Sequence, residues 1–131
     1  MVAQVIHRLI TSLKADIFPI MNWIDLTSEN QLKDIIASSY DRPQIIFKHS
    51  TRCSVSSIAL SRLKKSGPLS NSDFFYLDLL SYRQLSNKIA DLFRVPHESP
   101  QILLIKNGEC IYEESHLGIT ADDLQEQLIV A

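Results

Sequence analysis

The feature that most constrains this chain is a short apolar run that feeds into a helix with a cysteine at its start. Gln44-Ile45-Ile46-Phe47-Lys48 reads as a buried strand, and Val55, Ile58, Ala59 and Leu63 then recur at helical spacing. The junction is a hydroxyl-rich turn, Ser50-Thr51, followed by Arg52 and Cys53. A sulfur at a helix N-terminus faces unpaired amide N–H groups and the positive end of the helix dipole, and both favour thiolate over thiol. Such positions can lower a cysteine pKa from ~8.5 to between ~3.5 and ~7.5. Lys48 and Arg52 flank the thiol on its N-terminal side, so Cys53 is the candidate nucleophile.

The rest of the chain supplies a fold around that junction. Trp23, Ile24 and Leu26 form a short extended piece, and Thr27 can cap a helix over residues 28–39 with Leu32, Ile35 and Ile36 facing the core. Lys64-Lys65-Ser66-Gly67-Pro68 closes the cysteine helix with late positive charge, glycine and proline. Residues 73–80 hold the near-continuous apolar run of a strand covered on both faces. A helical stripe of Leu85, Ile89, Leu92 and Phe93 follows over 82–94. After the rigid loop Val95-Pro96-His97-Glu98-Ser99-Pro100, residues 101–106 are another apolar strand, and Asn107-Gly108 turns it into an antiparallel partner over 109–114. Thr120 caps a last helix over 120–129. One mixed sheet flanked by helices is the economical α/β arrangement.

Composition narrows the function classes. A chain of 131 residues, 45% apolar and 21% charged, suits one soluble domain with its own core. A net charge of −2 offers no global electrostatic case for nucleic acid or an anionic membrane, and no apolar run approaches a membrane span. Two cysteines are too few for a secreted disulfide framework and suit a reducing cytosol. Residues 1–20 stand apart: Val2, Val5, Ile6, Leu9, Ile10, Leu13 and Ile17 predict an amphipathic helix outside the core domain of 21–131. His7, Arg8, Lys14 and Asp16 break that stretch as a signal peptide, and Met21 is an alternative start.

Strand, Cys-x-x-Ser at the next helix, a βαβ crossover, then a proline directly before a hairpin and a closing helix resembles the thioredoxin fold. More narrowly, Trp23-Ile24-x-Leu26, the run Phe47-Lys48-His49-Ser50-Thr51-Arg52-Cys53, and His97-Glu98-Ser99-Pro100-Gln101 resemble the YtxJ family of monothiol bacilliredoxins. The resemblance covers about 21–131. It implies a cytosolic bacterial enzyme that reverses mixed disulfides between bacillithiol and client proteins, with bacillithiol as co-substrate and no bound cofactor or metal. A monomer is expected.

The resemblance also assigns roles. Cys53 attacks the mixed disulfide, the client leaves as a thiol, and a second bacillithiol releases the carried one. Ser56 stands where dithiol relatives keep a resolving cysteine; it cannot form a disulfide but can donate a hydrogen bond to the sulfur anion. Arg52 is suited to a carboxylate of the small thiol, with Thr51 and Lys48 beside it. Pro100 is implied to be cis, facing the sulfur, with the backbone of Ser99 free to pair with an extended substrate. Ser54 departs from the proline or glycine that many relatives carry after the cysteine.

Plainer readings compete. Cys110, on a hairpin strand between Glu109 and Ile111, reads as a small buried hydrophobe remote from Cys53. His7, His49, His97 and His116 have no metal-ligand spacing. His49 either turns toward the sulfur or lies in the core. A non-catalytic module that binds extended peptides along Ser99, or a redox sensor capped at Cys53 without turnover, uses the same fold.

Overall fold

The computed structural model describes residues 23–67, 69 and 71–131. The amphipathic stretch anticipated over 1–20 lies outside them. Five strands form one mixed sheet: β1 (Trp23–Asp25), β2 (Gln44–His49), β3 (Asp73–Asp78), β4 (Gln101–Lys106) and β5 (Glu109–Ser115), in the order β1-β3-β2-β4-β5. Four helices flank it: α1 (Glu29–Ser38), α2 (Ser54–Ser66), α3 (Arg83–Phe93) and α4 (Ala121–Val130). A 3-10 turn, His116–Gly118, precedes α4 and had no signal in the sequence.

The central position of β2 follows from its composition. All six of its residues are buried, as expected of a strand covered on both faces. It pairs parallel with β3 and antiparallel with β4. Strand alternation then sorts its side chains. Ile45 and Phe47 pack with Ala59 and Leu63 of α2 and Leu124 and Leu128 of α4. Ile46 packs on the other face with Leu32 and Ile35 of α1 and Leu85, Ile89 and Phe93 of α3. The apolar run of β3 divides likewise, Phe74 to one face and Phe75 and Leu77 to the other.

Local chemistry sets the boundaries. Ser28 caps α1 through a capping box with Gln31. Thr120 accepts from the Asp123 amide at the start of α4. Asn107 and Gly108 take φ of 52° and 78°, the left-handed pair that a tight hairpin needs. In β5 the register slips by one residue, with Leu104 opposite Tyr112 and Ile105 opposite Cys110. The extra residue, Ile111, is a bulge that turns Cys110 toward α1 and α3 and Tyr112 toward α2 and α4.

The hairpin is tied to the end of α1 by a fully buried serine. The Ser39 hydroxyl donates to the Ile36 carbonyl at 2.6 Å and accepts from the Gly108 amide at 2.9 Å, while its own carbonyl accepts from the Asn107 amide at 2.9 Å. Replacement Ser39→Ala takes this acceptor from the part-buried Gly108 amide, and an unmade buried bond costs up to about 1–3 kcal/mol. The unfolding free energy of this variant is expected to fall by that amount, read as a lower urea midpoint with an unchanged slope.

Candidate active site

Cys53 is delivered by the end of β2. The strand stops at His49, the chain turns through Ser50, Thr51 and Arg52, and Cys53 becomes the N-cap of α2 with extended φ −106° and ψ 121°. The turn closes through a bond from the Cys53 amide to the Ser50 carbonyl at 3.2 Å, and the helix begins when the Cys53 carbonyl accepts from the Ser57 amide at 3.1 Å. The thiol is free and partly exposed, and Thr51 and Arg52 beside it are exposed. The helix-start placement read from the sequence therefore describes this thiol well.

The proline loop meets the same end of the sheet. Ser99–Pro100 is a cis peptide, and Gln101, which follows it, pairs with Lys48 across β2 and β4. Pro100 is buried, and the Ser99 hydroxyl oxygen is buried without a hydrogen-bond partner. Gln101, fully buried, holds the loop from below: its amide nitrogen donates to the Pro96 carbonyl at 3.0 Å and its amide oxygen accepts from the Glu98 amide at 3.4 Å. The sequence offers Gln101 only as the end of the loop motif, with no role of its own. A polar residue opening an otherwise apolar strand was the available signal.

Ser56 is placed differently from the expectation that it donates to the sulfur. Its side chain is fully buried under the end of β2, where the hydroxyl lies 2.7 Å from His49 Nδ1 and accepts from the Ser50 amide at 3.0 Å. Among the described residues no hydrogen bond joins it to the Cys53 sulfur. The reason is the alternation of β2: His49 points to the α2 face, so the ring enters the core and meets the first turn of that helix. There it stacks on Phe47 at a centroid distance of 6.0 Å and lies tilted against Tyr76 at 5.5 Å. Burial lowers the His49 pKa, Asp78 opposes that shift and Lys64 adds to it.

Lys48 also departs from the reading that it flanks the thiol and meets substrate directly. One residue earlier on the strand, it points to the opposite face and is fully buried beneath α3. Its ammonium donates to the Ser86 carbonyl at 3.1 Å and lies 3.3 Å from His97 Nδ1. The Ser86 hydroxyl is a second neighbour of that nitrogen at 3.3 Å. Burial pulls the Lys48 pKa down to about 8. The His97 pKa is lowered by burial first, then by Lys48 and Arg83, with Glu98 opposing. Glu98 is itself paired with His116 at 3.0 Å.

Cys110 lies at the far end. It sits opposite Ile105, which pairs with Gln44 at the start of β2, whereas Cys53 follows the end of that strand. Five strand residues at ~3.3 Å each separate the two levels by roughly 16 Å, beyond the ~7 Å Cα limit for a disulfide. The Cys110 sulfur donates to the Tyr112 carbonyl at 3.3 Å, and burial pushes its pKa up. Among the described residues no group of His, Cys, Asp or Glu is gathered to hold a metal ion, and no helix is long and apolar enough to cross a membrane.

Comparison with known proteins agrees with this geometry. A solved structure described as a candidate oxidoreductase with a thioredoxin fold is 30% identical, with a TM-score of 0.67, over 79% of this chain and 90% of that one. Thioredoxins of Trypanosoma brucei brucei and Malassezia sympodialis share only 16% identity but superpose with TM-scores of 0.67 and 0.66. Each comparison covers 86% of this chain, and 91% and 92% of those chains respectively. The protein is thus a thioredoxin-fold thiol–disulfide oxidoreductase. A profile of the monothiol bacilliredoxin BrxC matches residues 24–124, and the chain belongs to that family.

The buried lysine has a thermodynamic consequence. Between the folded value of about 8 and the ordinary value of 10.5, the unfolded chain binds a proton that the folded chain does not. Stability contributed at this site therefore rises with pH across that window. We expect the difference in unfolding free energy between wild type and Lys48→Met to shift in favour of wild type from pH 8 to pH 10, measured by urea unfolding. Taking the difference cancels Cys110 and the tyrosines. A flat difference would mean that the ammonium is not desolvated.

Proposed function

We propose that this protein removes bacillithiol from S-bacillithiolated proteins by thiol exchange through Cys53. The observation that carries this reading is a chain of the monothiol bacilliredoxin family with one thiol at the helix start and no second thiol in reach. The Cys53 thiolate attacks the bacillithiol sulfur of the mixed disulfide. The client sulfur leaves with the electron pair of the broken S–S bond and takes up a proton, and Cys53 now carries bacillithiol. A second bacillithiol thiolate attacks the carried sulfur, giving bacillithiol disulfide and regenerating Cys53. Electrons balance in each step, because one S–S bond forms as another breaks.

The surroundings support these steps. The exposed Arg52 offers a guanidinium to a carboxylate of the small thiol, with the Thr51 hydroxyl beside it. The Ser99 backbone before cis-Pro100 presents an edge to an extended client. Lys48 contributes charge from inside the fold, and Ser56 orders the turn. The reaction consumes reduced thiol, so we place it in the bacterial cytosol, with the protein acting as a monomer.

Mass spectrometry tests the assignment. A bacillithiol-capped client is incubated with wild type, Cys53→Ala and Cys110→Ser. The bacillithiol mass is expected on wild type and Cys110→Ser, with free client released, and absent from Cys53→Ala. Added bacillithiol should then strip the cap. Transfer that survives Cys53→Ala, or wild type that leaves the client capped, would sink the proposal.

A further inference from the structure

The buried lysine and the loop histidine together define a donor that nothing so far has used. A charged lysine has three N–H donors and no acceptor. Lys48 places its ammonium 3.3 Å from His97 Nδ1, so that nitrogen must present its lone pair, and the Ser86 hydroxyl stands 3.3 Å away as a second donor to it. A neutral imidazole with Nδ1 as acceptor carries its hydrogen on Nε2. Lys48 cannot turn away freely, because it is fully buried and its other bond holds the Ser86 carbonyl of α3 at 3.1 Å. The tautomer of His97 is therefore set from beneath.

His97 itself is exposed, and it lies in the loop two residues before Ser99 and cis-Pro100. Gln101, just past that loop, pairs with Lys48, so His97 belongs to the end of the sheet from which Cys53 emerges. Two cationic groups bear on this spot, Lys48 from β2 and Arg83 from the start of α3. The nearby acid, Glu98, is engaged by His116 at 3.0 Å. Burial first, then Lys48 and Arg83, lower the His97 pKa against Glu98, in keeping with the neutral N–H donor that the Lys48 contact at Nδ1 requires.

We propose that His97 is a substrate-binding residue whose Nε2–H donates to a carboxylate of the incoming small thiol, with Lys48 and Ser86 as the positioning residues that hold its tautomer. This rests on the exchange reading above and adds to it a contact for the carboxylate-bearing thiol that releases Cys53. A hydrogen bond from a neutral donor to a carboxylate is worth about 1.5–3 kcal/mol, or roughly 10- to 100-fold in affinity.

The experiment measures release of a thiol capped on Cys53 by three reductants: bacillithiol, 3-mercaptopropionate, and 2-mercaptoethanol, which has no carboxylate. For His97→Ala the KM for both carboxylate thiols is expected to rise roughly 10-fold or more with little change in kcat, while the rate with 2-mercaptoethanol stays within about 2-fold of wild type. His97→Gln, whose amide can offer a donor at a similar reach, should restore part of the loss. Lys48→Met should show the same carboxylate-selective loss in milder form, and side-chain nitrogen NMR at neutral pH should report Nδ1 of His97 as unprotonated in wild type. Equal losses with all three thiols would make His97 merely structural and overturn the proposal. So would no loss with any of them, or a proton on Nδ1. Wild type inert to every thiol would instead remove the exchange reading itself.

Discussion

The arrangement depends on one property of a β-strand, that successive side chains leave on opposite faces. At the end of β2 this sends two adjacent polar residues, Lys48 and His49, into two separate cores. Each finds its partner across a different interface. His49 meets Ser56 in the first turn of α2 at 2.7 Å, and Lys48 meets Ser86 of α3 and His97 of the proline loop. Leaving a buried polar group unbonded is costly, so both contacts act as alignment pins whose loss leaves a desolvated donor or acceptor. The thiol emerges four residues after the second pin. Its turn is thus held from beneath on one side, and the proline loop on the other.

Sheet order explains why these parts meet at all. Because β2 runs antiparallel to β4, the last residues of one lie beside the first residues of the other, Lys48 opposite Gln101. A chain segment that enters β4 must pass the exit of β2, and the cis Ser99–Pro100 peptide sits at that entry. Parallel pairing of β2 with β3 brings Asp78 level with His49 on the other flank, where its charge opposes the effect of burial on the ring. The apolar clusters on the two faces fix this register, since a one-residue slip would exchange every inward side chain.

Much of this was legible in the residues. The order of elements followed from apolar spacing, the hairpin from Asn107-Gly108, the cap of the last helix from Thr120, and the helix-start position of Cys53 from the strand that precedes it. The misread residues were the polar ones inside or beside apolar strands. Lys48 is placed beside the thiol by its nearness in sequence, yet a strand buried on both faces turns its side chain into the core instead. Ser56 was read by sequence distance from the cysteine, which does not reveal that a histidine seven residues earlier lies within hydrogen-bonding distance. His97 and Gln101 stand in the sequence only as parts of the loop motif, because the His97 partner, Lys48, comes from a distant strand and Gln101 meets Pro96 and Glu98 only once the loop folds back. Hydrophobic periodicity locates elements well and says little about which buried polar groups find one another.

The placement of Ser56 bears on the chemistry of a single thiol. A hydroxyl bonded to His49 and to the Ser50 amide belongs to the scaffold of the turn, and it cannot accept a sulfur–sulfur bond. Cys110, at the opposite end of β2, cannot reach Cys53 without unfolding the sheet. A mixed disulfide formed at Cys53 therefore has no internal exit and must wait for a thiol from solution. Discrimination between such thiols has to come from groups at the surface around the sulfur, because the sulfur chemistry is the same for all of them. Arg52, Thr51 and His97 are exposed polar side chains in the turn before Cys53 and in the proline loop, and of these three His97 contacts a buried partner, Lys48.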